Sequence, residues 1–393
     1  MIKNSVVLIP NISHNKQVCD YLEQTADILA QYNNKVFIIY HNRSFSIKDI
    51  IIKNLTRQKI TISKKTNNIY YLYPIHLIPF KRIKLIQNIN AVIYSIGIQL
   101  FLKIKYFGSK NHLIWMFFPQ LPQFTKIKLP FWKIIYDIVD FHTSPSYQKQ
   151  KQLTKQKQLL LKKSNFIVAN SHSLKNKYKI LTHKQISVVP QGFDYNKKSE
   201  KSTIKLANNK PLIGFIGQIS QRLDFKLLEE IISQNKIPLF VFIGPNHHEP
   251  NVSIDKKSHF LKKFKELTKY KNCIWFDSQP KNEVASIIQQ LDICAIPYDI
   301  SYNFNRYCYP MKLFEYFYMG KPVITTPIEE LKHPKFKNLI KIGNTAEEWK
   351  NHVKNLLKKP WSKSMQKYQR QLAIDNSWKN KIEAMSQIIS DTI

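Results

Sequence analysis

Hydrophobic residues in this chain fall into short unbroken runs, separated by polar, lysine-rich stretches that carry helical spacing. Val6–Ile9, Val36–Tyr40 and Leu113–Phe118 are such runs; Ile134–His142, whose end presents two carboxylates and an imidazole, and Asn165–Ser171 read as strands as well. Continuous apolar runs of this length mark strands covered on both faces, as in a parallel sheet. A helical pattern from about Val18 to Gln31 joins the first two strands, and Gln148–Lys163 is a second helix, rich in lysine and glutamine. Asn170-Ser171 supplies a helix cap directly after a strand, and Ile186–Pro190 is the next strand. The polar stretch Asn196–Asn209 has the composition of a linker. The rhythm then restarts with strands at Leu212–Gly217, Leu239–Ile243, Asn272–Phe276 and Asp292–Pro297, and helices at Phe225–Ile232 and Glu283–Gln290. Two successive α/β halves predict two doubly wound domains, with a ligand at the carboxyl ends of the strands. The longest uncharged run, Leu85–Leu102, is interrupted by Gln87, Asn88, Asn90, Ser95 and Gln99. It is expected to form a buried helix and strand rather than a membrane span.

The stretch Tyr309–Pro327 carries the clearest local punctuation. Pro310 suits the first position of a helix, where its missing N–H costs nothing. Gly320 can take the left-handed conformation that ends one. Pro322 then forbids more helix, and Val-Ile-Thr-Thr reads as a short buried strand. Lys312 and Glu315, three apart, share one face near the helix start. An amine beside a helix N-terminus attracts anions, and a carboxylate one turn on can accept ribose hydroxyls. The pair therefore predicts a nucleotide-diphosphate site, against the plainer reading of a solvated Lys–Glu pair on a core helix.

A length of 393 residues calls for two domains, and 43% hydrophobic residues with 12% aromatics exclude a disordered chain. Cys19, Cys273, Cys294 and Cys308 show no metal-ligand spacing and read as reduced thiols of a cytosolic protein. The apolar run at the N-terminus is too short for a signal peptide. The net charge of +35 reflects in part a heavy use of lysine, asparagine and isoleucine, as in AT-rich coding sequences. Its distribution is uneven: residues 1–200 hold 31 Lys/Arg against 8 Asp/Glu, and residues 201–393 hold 30 against 18. Between Asp49 and Asp137 there are 14 basic residues and no acidic one, so this half is expected to face something anionic.

Several of these stretches together resemble bacterial GT-B glycosyltransferases, especially the teichuronic-acid and capsule branch of family 4. The match runs through Tyr136-Asp137-x-x-Asp140, Asn170-Ser171, Val189-Pro190-Gln191-Gly192-x-Asp194, Ile213-Gly214-x-Ile216 and Arg222-Leu223-Asp224. It continues through Val241–Pro245, Leu291–Pro297 and, most strongly, Pro310-x-Lys312-x-x-Glu315-Tyr316 to Gly320-Lys321-Pro322-Val323. The resemblance implies two Rossmann-like domains facing a central cleft. An acceptor-binding domain would cover residues 1–200 and a donor-binding domain residues 201–376, with a terminal helix from about Ser377-Trp378 to 393 packing back on the first. It further implies transfer of a sugar from a nucleotide-diphosphate sugar, UDP-sugar foremost, to a glycan or lipid-linked acceptor in cell-surface polysaccharide synthesis. The chain departs from the family at Tyr307, where the first of two glutamates is usual, and at Gln191, where asparagine is usual. Met311-Lys312 also resembles inverting exopolysaccharide glucuronosyltransferases. Alternatives are a GT-B sugar-nucleotide epimerase and a basic nucleic-acid binder; no nucleic-acid-reading motif is present.

With no Asp-x-Asp pair and no His/Cys ligand spacing, neither metal nor cofactor is expected, and positive side chains would neutralise the leaving diphosphate. On the donor side the candidates are Gly217, Gln218, Arg222, Tyr298, Met311, Lys312 and Glu315. Asp140 is the candidate general base, with His142 behind it, and His14 and Asn15 are candidates for the acceptor; Asp137 reads as a structural carboxylate. The mixture of lysine with aromatic and aliphatic residues at Ile78–Lys84, Phe101–Phe107 and Phe124–Lys133 suits the headgroup boundary of an anionic membrane. The expected location is cytoplasmic, peripheral on the inner face of the cytoplasmic membrane.

Overall fold

A computed structural model describes residues 2–11, 20–40, 45–46, 62–64, 68–78, 83–144, 147–194, 200–206, 209–234, 238–246 and 257–391. The chain divides into two compact units. One comprises Met1–Val139, Ser146–Gly192 and Trp378–Ile393, the other Asp140–Pro145 and Phe193–Ser377.

The first unit is built on strands β1 (Val6–Asn11), β2 (Lys35–Tyr40), β3 (Phe45–Ser46), β4 (Ile62–Lys64), β5 (Ile69–Leu72), β6 (Ile75–His76), β7 (His112–Met116), β8 (Lys133–Ile138), β9 (Phe166–Ala169) and β10 (Ser187–Val188). Eight of them form one sheet in the order β10-β9-β8-β7-β1-β2-β5-β4, and β3 pairs with β6 separately. Only β4 runs antiparallel to its neighbour in the large sheet. The central strands β1 and β7 are buried along their whole length, because helices cover both faces of a parallel sheet. The helices are α1 (Asp20–Gln31), α2 (Lys84–Lys105), α3 (Pro122–Lys126), α4 (Tyr147–Lys163) and α5 (His172–Lys179). Ser171 caps α5 by accepting from the Leu174 N–H at 3.2 Å. Helix α2 corrects the sequence reading: Leu85–Leu102 lies in one continuous helix of 22 residues, with no strand, and much of its apolar surface is exposed.

The second unit carries β11 (Leu212–Ile216), α6 (Phe225–Gln234), β12 (Leu239–Ile243), α7 (Lys257–Leu267), β13 (Cys273–Phe276), α8 (Val284–Gln290), β14 (Ile293–Ile296), α9 (Asn303–Arg306), α10 (Lys312–Tyr318), β15 (Val323–Thr325), β16 (Lys341–Ile342), α11 (Ala346–Lys358) and α12 (Lys363–Asp375). Its sheet, β13-β12-β11-β14-β15-β16, is parallel throughout. The order reverses at β11, beside β14, which is where such sheets open a crevice at their carboxyl ends.

The last helix, α13 (Trp378–Ser390), belongs to the first unit. Ile382, Met385 and Ile389 sit in its core, and the Lys381 amine lies 2.9 Å from Asp137 Oδ2 with both side chains fully buried. Gln191 Oε1 accepts from the same amine at 2.9 Å, and Trp115 Nε1 donates to Asp137 at 3.2 Å. Asp137 is thus a structural carboxylate. Gly192 is bare because Trp378 rests on it: a Cβ there would lie 2.5 Å from the Trp378 ring.

Candidate functional site

The site is built where β11 and β12 end. Each strand stops on a glycine with positive φ, Gly217 at 139° and Gly244 at 140°, a conformation costly for residues with a Cβ. The Gly217 N–H donates to the Ile243 carbonyl at 2.8 Å, and the Ile219 N–H to the Pro245 carbonyl at 2.9 Å, lacing the two turns together.

Helix α10 is held against this turn. It buries Leu313, Phe314, Tyr316 and Phe317, and the Ile216 N–H donates to the Tyr316 hydroxyl at 3.1 Å. Its first turn is tight, with the Leu313 and Phe314 N–H groups donating to Pro310 and Met311. It ends as the sequence predicts: the Lys321 N–H reaches Tyr316 O, the Gly320 N–H reaches Phe317 O, and Gly320 has φ 68°. This docking sets Lys312 directly on Gly217. A Cβ on Gly217 would occupy the place of Lys312 Cε and Nζ. The amine lies 5.1 Å from the centre of the Phe215 ring, and among the described residues it has no hydrogen-bond or ion-pair partner. Glu315 follows one turn later, half-buried, and Met311 packs partly into the core.

Arg222 is fixed on several sides. Its Nε donates to Asn305 Oδ1 at 3.0 Å, and its guanidinium carbon lies 4.4 Å from the Tyr298 ring centre and 4.9 Å from that of Phe304. The Asn305 amide in turn donates to the carbonyls of Arg222 and Asp299. Tyr298 is buried, and Thr326 Oγ1 donates to its carbonyl at 2.7 Å. Its ring lies under the Arg222 guanidinium from the core side. Next to Arg222, Asp224 caps α6 by accepting from the Leu227 N–H at 3.0 Å; burial raises its carboxyl pKa.

Asn305 and Cys308 were not among the sequence candidates. Burial pushes the Cys308 thiol up to about 11, while the charges of Arg222 and Lys312 pull it down and Asp140 raises it. Neither residue has a spacing that announces it; the faint signal is an amide inside the aromatic stretch Tyr302–Tyr309, where burial demands a polar partner.

Asp140 and His142 lie in the segment grouped with the second unit. Phe141 packs its ring 5.5 Å from that of Tyr307, the residue standing where the family usually has glutamate. His142 is buried, and its N–H donates to the Asp140 carbonyl at 3.1 Å. Gln218 is half-buried beside Gly217. His14 and Asn15 lie outside the described residues. Among the described residues no three His, Cys, Asp or Glu side chains gather as a metal-holding group.

Residues 210–359 match the profile of the family described as Glycosyl transferases group 1. That segment is a group 1 glycosyltransferase domain. The group 1 domain holds Gly217, Arg222, Asn305, Cys308, Lys312 and Glu315. Over 230 residues the chain is 28% identical to TuaH of Bacillus subtilis (strain 168), named for a role as a teichuronic acid biosynthesis glycosyltransferase. The match covers 54% of this chain and 55% of that protein, so the chain spans about half the length of the curated relative it matches. Among solved structures, sucrose-phosphate synthase from Thermosynechococcus elongatus superposes with a TM-score of 0.70 at 14% identity, covering 98% of both chains. HepE of Anabaena, in complex with UDP and glucose, superposes with a TM-score of 0.67 at 11% identity, covering 98% of this chain and 99% of that one. The fold is GT-B.

Proposed function

We propose that this protein is a glycosyltransferase that moves a sugar from a nucleoside-diphosphate sugar, with UDP as the nucleotide, onto a glycan acceptor of cell-surface polysaccharide. The observation that carries the reading is the Lys312 amine, half-buried on the bare backbone of Gly217 with no hydrogen-bond or ion-pair partner among the described residues. A cation held in that way is set for an anion. The ordered guanidinium of Arg222 supplies a second positive group, and Glu315 a carboxylate for the ribose hydroxyls. The UDP of the HepE complex and the teichuronic acid of TuaH's name support the same substrate class.

In this reading Lys312, Arg222 and the Gly217-Gln218 backbone hold the diphosphate and stabilise its charge as the bond to the sugar breaks. Asp140 removes the proton of the attacking acceptor hydroxyl as the new glycosidic bond forms. Lys312→Ala and Glu315→Ala should each weaken UDP binding by about 1–3 kcal/mol in calorimetry, the cost of a lost charge-assisted hydrogen bond. Unchanged affinity in both variants would refute the donor site. Asp140→Asn, nearly isosteric, should lower turnover about 100-fold or more with UDP affinity kept; normal turnover removes Asp140 as the base. Consumption of the UDP-sugar with no acceptor present would instead mark an epimerase.

A further inference from the structure

Helix α2 is built inside out. Its buried polar residues are Asn90, Ser95 and Gln99, at 2%, 0% and 0% exposure, while Leu85, Ile104 and the following Phe107 stand at 68%, 75% and 78%. The polar side chains are fully used by the protein body. Asn90 exchanges two hydrogen bonds with the Ile78 backbone, at 2.8 and 2.9 Å. Gln99 donates to the Ile127 carbonyl at 2.9 Å and accepts from the Leu129 N–H at 3.0 Å. Leu85, Ile89, Ile93, Ile96, Leu100 and Ile104 follow one another at intervals of three and four, which gathers them into a stripe along the helix. Water is the wrong solvent for such a stripe.

The charge around it is of one sign. No acidic residue occurs from Ile50 to Tyr136. Lys103 sits 5.4 Å from the Phe107 ring centre and 5.5 Å from that of Phe131, and Lys105 lies 5.4 Å from that of Phe101. Apolar rings topped by amines match the boundary between acyl chains and anionic headgroups, with the lysine stems along the rings and the charges outward. By length and composition Leu85–Lys105 also passes as a membrane span. Spanning requires lipid on every side, however, and here Asn90 and Gln99, about two and a half turns apart and so on opposite flanks of the stripe, both tie the helix to protein.

We infer that α2 lies in the plane of an anionic membrane surface, with its apolar stripe in the acyl boundary and Lys103, Lys105 and Lys110 at the phosphates. The inference is independent of the donor site: it rests on α2 and the charges around it, and it stands if no nucleotide binds. Co-sedimentation of the full chain with phosphatidylcholine vesicles, with and without one part in three phosphatidylglycerol, tests it. The protein should pellet with the anionic vesicles and stay in the supernatant with the neutral ones. Ile104→Ser with Phe107→Ser should lower the partition coefficient about tenfold or more, since both side chains leave lipid. Replacing Lys103, Lys105 and Lys110 by glutamine should lower it about a hundredfold at low salt. Circular dichroism and unaltered UDP affinity check that these exposed substitutions leave the fold intact. Equal recovery in the supernatant with both vesicle types overturns the inference. So does full binding by the double serine variant, which would leave a purely electrostatic attachment. A concentration-dependent dimer in light scattering, abolished by Ile104→Asp, would also overturn it by assigning the stripe to a second copy of the chain.

Discussion

Helix α6 of the second unit turns Phe225, Leu227, Leu228, Ile231 and Ile232 inward and leaves Lys226, Glu229, Ser233 and Gln234 exposed. Helix α2 of the first unit does the reverse, tying Asn90, Ser95 and Gln99 to the body and leaving Leu85, Leu100, Phe101 and Ile104 outside. Both are rich in leucine and isoleucine. What separates them is where the charges fall. In α6, Lys226, Glu229 and Glu230 lie within the helix and leave one face free to pack. In α2, charges stand only at the ends, Lys84, Lys103 and Lys105, and the amides between them find backbone partners in the flanking loops. Apolar content alone therefore does not say which side of a helix meets the core; the hydrogen-bonding amides do.

Substitutions can break that contrast. The largest effect is expected at Ile231, which is 1% exposed. Ile231→Ala should destabilise the second unit by about 2–5 kcal/mol in denaturant unfolding, from lost transfer energy and the cavity left behind. The same change at Ile104 should stay within about 0.5 kcal/mol in water. An equal cost at both sites would mean that the stripe on α2 is covered after all. An intermediate effect is expected at Gln99. Gln99→Leu makes α2 more apolar yet should destabilise the first unit by about 1–3 kcal/mol, because the Ile127 carbonyl and the Leu129 N–H lose their partner. A stabilised variant would show that the buried amide is incidental.

The same contrast explains what could be read from the sequence. The end of Tyr309–Pro327 was legible because Gly320 and Pro322 act locally, one free to take positive φ and the other barred from helix; its start falls two residues later than expected, at Lys312 with Met311 as the N-cap rather than at Pro310. The alternation of buried strands was legible in both halves for a similar reason: runs such as Leu113–Phe118 can only lie inside a sheet covered on both faces. The orientation of α2 was not legible, because an uncharged stretch need not turn its apolar side inward. Its orientation depends on Ile78, Ile127 and Leu129, which lie outside the helix. Arg222 stood out as a cation in a loop, but its ordering depends on Asn305, 83 residues away. No spacing rule connects the two. Likewise, nothing local to Asp140 says that its segment groups with the second unit, where Phe141 meets the Tyr307 ring.

The buried pair of Lys381 and Asp137 has a consequence for how the protein is made. During synthesis Asp137 leaves the ribosome long before Lys381. Until α13 emerges, the first unit lacks Ile382, Met385 and Ile389 from its core and holds a carboxylate without its cation. A buried carboxylate without its cation is costly, so closing the first unit before α13 is available would be unfavourable. The first unit thus needs both ends of the chain to be complete. A chain cut just before Trp378 would keep the whole segment 210–359 and yet lack the helix that closes the first unit's core.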